Sequence, residues 1–182
     1  MNKTTSLVVF ALTSGLFASA QQQSAQPKST EPPQTPAAVQ APYLSNPTIP
    51  PFHLLKVDSA TYLTKDNLKK HHRTMIMFFS PDCDHCKHQT DSILGSADKF
   101  KDIQIVMATY QPFGEMKEFN AHYRIYEHHN IMMGRDEKFF LVPFYRIRNL
   151  PYMALYDKKG TLITTFEGTQ KIDNLLKAFN EK

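Results

Sequence analysis

Cys83 and Cys86 are the only two cysteines in this 182-residue chain, and they stand three positions apart. Thiols so spaced can form a reversible disulfide, contribute to a metal site or close a small permanent loop. The spacing serves a permanent staple poorly. Closing a four-residue loop removes about 2 kcal/mol of unfolded-chain entropy, against about 4.7 kcal/mol for a loop of roughly 100 residues. A tetrahedral metal site wants four ligands; Cys83, Cys86 and His88 supply three, and there is no second C-x-x-C. Most of the methionines, Met75 and Met77 among them, fall in expected strands or on helix faces, where a thioether fills core space. A redox-active pair is the favoured reading, with a metal site and a structural disulfide as alternatives.

The surrounding residues say how such a pair would be mounted. Met75 to Phe79 is a continuous apolar run, the mark of a strand buried on both faces. Ser80-Pro81-Asp82 turns the chain, and helix signals run from Cys83 to about Leu94. The first residues of a helix carry unpaired N–H groups at the positive end of the dipole. A thiolate there is stabilised, which makes Cys83 the expected nucleophile. Cys86, one turn on, is placed to attack a mixed disulfide and release the partner. Between them stand Asp84 and His85. A protonated His85 would favour the Cys83 thiolate, whereas Asp82 and Asp84 would oppose it.

Elsewhere strand and helix patterns alternate. Short strands are expected at 52–57 and 131–133 and a buried one at 103–110. Thr64 looks like the cap of a short helix. Helices are expected over 113–125 and over 138–146, the latter interrupted by Pro143. A hairpin joins 152–156 to 162–166 through Asp157-Lys158-Lys159-Gly160. Thr169 is expected to cap a last helix whose apolar residues Ile172, Leu175, Leu176 and Phe179 share one face. The pattern predicts an α/β domain with a mixed central sheet and helices on both faces.

That domain is expected at 52–182. Residues 1–20 read as a signal peptide: Lys3, an apolar stretch from Leu7 to Phe17, then Ala18-Ser19-Ala20. Residues 21–51 hold eight of the twelve prolines and read as an extended linker. The expectation is a periplasmic or secreted protein with no stable membrane span after cleavage. The net charge of +4 is small and the basic residues are scattered along the sequence, so nucleic-acid binding is not indicated.

A buried strand, a C-x-x-C at a helix start and Leu150-Pro151-Tyr152 opening a later strand together resemble the thioredoxin superfamily. About forty residues separate the 103–110 strand from Pro151, which is similar to the insertion of exported TlpA-type thiol-disulfide oxidoreductases. The resemblance implies a thioredoxin-like fold and dithiol/disulfide exchange with protein substrates by Cys83 and Cys86. It implies no cofactor beyond that disulfide, and a membrane electron donor as a further partner. It also implies a cis Pro151 packed against the disulfide, with the Leu150 backbone pairing an extended substrate strand. Asp82 stands where thioredoxins usually carry Trp, and Met77 where they bury a carboxylate. The Asp84-His85 dipeptide differs from thioredoxin's Gly-Pro. The competing classes are a redox-inactive binding module on the same fold and a thiol peroxidase.

Overall fold

The computed structural model describes residues 40–181, so the expected signal peptide and most of the expected linker lie outside the described residues. Seven strands form one sheet in the order β2-β1-β5-β4-β3-β6-β7. They are β1 (His53–Lys56), β2 (Tyr62–Thr64), β3 (Arg73–Phe78), β4 (Ile103–Thr109), β5 (Ile131–Arg135), β6 (Tyr152–Tyr156) and β7 (Leu162–Glu167). The helices are α1 (Pro42–Ser45), α2 (Asp84–Leu94), α3 (Phe113–His122), α4 (Leu141–Tyr145) and α5 (Ile172–Asn180). β3, β4 and β5 run parallel, and β6 lies antiparallel to β3.

β3 and β4 are central, which is why both read as unbroken apolar runs. Alternate side chains of β3 divide between two cores. Met75, Met77 and Phe79 pack with residues of α2, α3 and α5. Ile76 and Phe78 face Leu141 and Tyr145 of α4. The crossovers from β3 to β4 and from β4 to β5 step the same way across the sheet, so right-handed connections put α2 and α3 on one face. The mixed sheet covered on both faces is the expected one.

Several boundaries differ from expectation for local reasons. Residues 41–51, expected as linker, pack on the domain instead. Tyr43 lies against Tyr145 with ring centroids 5.7 Å apart, Thr48 bridges Thr161, and the Leu162 N–H donates to the Pro47 carbonyl at 2.7 Å. Tyr43 and Ile49 supply the apolar anchors that the surrounding prolines lack. α3 stops at His122 because Arg124 turns left-handed at φ 50°. α4 shrinks to five residues. Buried Asp136 accepts the N–H groups of Phe140 and Leu141 at 3.1 and 2.8 Å and so fixes the start, and Pro143 sits in the first turn, where its missing N–H is tolerated. Lys171, not Thr169, precedes the final helix.

Candidate active site

β3 delivers the chain to the site. The Phe79 N–H still donates to the Ala108 carbonyl at 3.0 Å, and the Cys83 N–H then donates to the Ser80 carbonyl at 3.2 Å, closing the turn. Cys83 is the N-cap residue of α2, with extended backbone angles, and its Sγ accepts the Cys86 N–H at 3.4 Å. A sulfur thus occupies the place a serine or aspartate oxygen takes at other helix starts. The Lys87 N–H to Cys83 carbonyl bond of 3.0 Å is the first of the helix. Cys83 is half-buried, whereas Cys86 has no exposed surface. Burial pushes the Cys86 thiol well above its ordinary value, and the adjacent Cys83 sulfur adds to the rise. Cys86 is therefore held protonated behind its partner.

Asp84 is the first residue of α2 and points outward, its carboxylate paired with Lys87 Nζ at 3.0 Å. That hydrogen bond, followed by the Lys87 charge, holds the Asp84 carboxyl below the usual carboxylate range. His85 is exposed, and its carbonyl accepts the Thr169 hydroxyl at 3.4 Å. The Leu150–Pro151 peptide bond is cis. Phe78 pairs with Tyr152. One further step of that register brings Pro151 beside Phe79, at the end of β3 from which the cysteine turn departs. Among the described residues, the backbone N–H and carbonyl of Leu150 have no hydrogen-bond partner. The structure thus brings Cys83, Cys86, Leu150 and Pro151 to one end of the sheet.

Three contributors escaped the sequence reading. The Ser80 hydroxyl donates to the Asp82 carboxylate and accepts Gln111 Nε2 at 3.1 Å, so the turn before Cys83 is tied to the end of β4. Gln89, fully buried on α2, accepts the Gln170 N–H at 2.6 Å. With Thr169 this binds the cysteine helix to the loop after β7, whose Gly168 N–H donates to the Pro151 carbonyl at 2.8 Å. Those duties also explain why Thr169 does not cap α5. A polar residue inside a helix pattern carries no signal for such a role; for Gln111 the one available signal is its place before Pro112 at a strand end. Beside the turn lies a groove of about 450 Å³, walled by Pro81, Lys87, Glu115, Glu118, Phe119 and Tyr123. Among the described residues, no three His, Cys, Asp or Glu side chains converge as metal ligands.

A sulfur at a helix start beside a cis proline invites comparison with known proteins. The family model for a thioredoxin-like domain matches residues 63–182. The chain belongs to the thioredoxin-like family. No curated protein sequence matches it. Among solved structures, the family's fold recurs in a secreted Mycobacterium tuberculosis disulfide oxidoreductase homologous to E. coli DsbE. The two share 18% identity over 72% of this chain and 96% of that one, with a TM-score of 0.60. A putative thiol:disulfide interchange protein DsbE from Chlorobium tepidum gives 18%, 72% and 95%, with a TM-score of 0.60. StoA from Bacillus subtilis gives 19%, 72% and 98%, with a TM-score of 0.56. The expected thioredoxin-like fold is the one observed, and α3, β5 and α4 fill the chain between β4 and Pro151.

Proposed function

We propose that this chain is an exported thiol-disulfide oxidoreductase that reduces disulfides of other proteins through Cys83 and Cys86. The observation that carries the reading is the N-cap sulfur of Cys83, half-exposed and accepting the Cys86 N–H, with the Cys86 thiol buried and protonated behind it. In the first step the Cys83 thiolate attacks one sulfur of a substrate disulfide. A mixed disulfide forms and the substrate's other sulfur leaves as a thiolate, which takes up a proton. Cys86 then loses its proton and attacks Cys83 Sγ, expelling the second substrate thiolate and leaving the Cys83–Cys86 disulfide. Two electrons have passed to the substrate, and an external dithiol donor, such as a membrane electron carrier, must restore the reduced pair.

The free backbone groups of Leu150 beside Pro151 suit an extended substrate segment pairing as a short added strand. Exposed His85 and the Lys87-paired carboxylate of Asp84 are the groups whose charge would bias the Cys83 thiolate. Pairing with Lys87 offsets the opposition expected from Asp84. The Ser80 hydroxyl, engaged by Asp82 and Gln111, is not free to assist a peroxide at Cys83, which disfavours the peroxidase alternative. The test is insulin reduction by a dithiol donor, with wild type against Cys83→Ser. Donor-dependent turnover that vanishes in the variant is expected; equal rates in both would make the chain a binding module.

A further inference from the structure

At the end of the sheet opposite the cysteines, two turns carry a concentration of positive charge that thiol exchange does not use. Lys65, Lys69 and Lys70 precede β3, and Lys158 and Lys159 follow β6. Thr74 pairs with Tyr156, so both turns leave the sheet at the same end. Together they wall a cavity of about 850 Å³ that also takes in His71 and His72 and holds one carboxylate, Asp66. A smaller cavity adjoins it through Lys69, His72 and Gln104, and adds Lys101 and His129. The six lysines are exposed, and none is in an ion pair among the described residues.

Both turns are fixed by groups that would otherwise neutralise them or let them move. Buried Gln104 accepts the Lys69 N–H at 2.8 Å and donates to the Lys69 carbonyl at 3.0 Å and to Thr74 Oγ1 at 2.9 Å. Asp157 spends its carboxylate on the N–H groups of Lys159 and Thr161, at 2.9 and 2.8 Å. The Gly160 carbonyl accepts the Ile49 N–H at 3.1 Å. Fixed backbones thus keep these unpaired lysines at one end of the sheet, at the cost of their mutual repulsion. An anion is the ligand that relieves it.

We propose that this basic end docks on an anionic lipid surface, its lysines meeting phosphate headgroups. The charges are spread over several turns and two cavities and do not converge on a point, which matches dispersed headgroups better than one small phosphate. Single-stranded nucleic acid is recognised largely by stacking on aromatic rings. The exposed aromatic residues here, Tyr62, Tyr110, Tyr126 and Phe139, line neither cavity. β3 spans six residues at about 3.3 Å each, so docking would hold Cys83 roughly 20 Å above the headgroups, facing away.

The test compares full-length wild type with a Lys69→Gln, Lys70→Gln, Lys158→Gln, Lys159→Gln variant. Both are sedimented with vesicles of equal phosphatidylglycerol and phosphatidylcholine, and with pure phosphatidylcholine. The neutral vesicles register whatever the N-terminal apolar run contributes. Each lysine near an anionic surface is worth about a fivefold change in partitioning, so losing four should cost the variant nearly three orders of magnitude on anionic vesicles and nothing on neutral ones. Bound vesicles should protect Lys69 and Lys159 from acetylation while leaving Lys177 and the alkylation rate of Cys83 unchanged. Equal partitioning of variant and wild type, or no protection of these lysines, overturns the proposal. Protection by inorganic polyphosphate or a DNA oligonucleotide without binding to vesicles overturns the lipid assignment. The outcome does not depend on whether the cysteines exchange disulfides.

Discussion

Replacing Cys86 by serine separates the two chemical steps proposed for this site. The variant keeps Cys83 and the Cys86 backbone N–H that reaches its sulfur, so the attack that forms a mixed disulfide should proceed within about twofold of wild type. Serine cannot displace a disulfide sulfur at neutral pH, so steady-state turnover should fall by roughly a hundredfold or more. The structural cost can be sized separately. Cys86 has no exposed surface and packs with Met77, Phe79 and Ile93, so a hydroxyl there enters an apolar site. That costs about 1–3 kcal/mol, or a Tm lower by roughly 2–4 °C for each kcal/mol. The assay is intact-mass spectrometry after mixing the variant with a disulfide-bridged peptide, beside a thermal melt. One peptide mass should add to Cys83 and persist until a dithiol is supplied. Wild-type turnover by the folded variant, or no adduct at Cys83 under conditions where wild type is active, would refute the assignment of attacker and resolver.

Three further outcomes follow from the same structure. The Cys86 thiol is raised above its unfolded value of about 8.5, so its contribution to stability is full below that pH and shrinks above it, as the unfolded chain ionises first. The reduced wild type should lose up to about 1.4 kcal/mol per pH unit above pH 8.5 relative to Cys86→Ala, and parallel denaturation curves for the two proteins would contradict this. Gly134→Ala should destabilise by about 1–3 kcal/mol in urea unfolding, because the added Cβ would lie 2.7 Å from Leu54 Cβ and 3.2 Å from the Leu55 carbonyl. Asp136→Ala strips buried acceptors from the Phe140 and Leu141 N–H groups and should cost about 3 kcal/mol; a loss under 1 kcal/mol would mean that water replaces the carboxylate.

The sheet was legible where burial is complete. Met75 to Phe79 and the 103–110 run are apolar on both faces, so period and length alone marked them as central strands. The cysteine helix was legible because a strand end, a turn and a helix start follow one another within a few residues. What stayed hidden depends on partners distant in sequence. β2 is three residues long and alternates too briefly to register, and it exists through its pairing with β1. The packing of residues 41–51 rests on Tyr43 and Ile49, two apolar side chains in a run that composition alone marks as linker. Ser80, Gln89 and Gln111 are common polar residues whose importance lies in what they reach, 81 residues away in the case of Gln89. The basic end was invisible for the same reason: its lysines are scattered in sequence and meet only once β3 and β6 lie side by side.

The order of the sheet bears on how much open backbone one copy of this protein offers another. Outer strands with open backbone are where one molecule would zip onto the next, and self-association grows with the length on offer. One flank here ends in β2, with only three residues to give. On the other, Pro47 and Thr48 already occupy the start of β7. The backbone open to lateral stacking of copies is thereby shortened on both flanks. The unpaired backbone at Leu150 can stay open for a visiting polypeptide without making the whole molecule sticky.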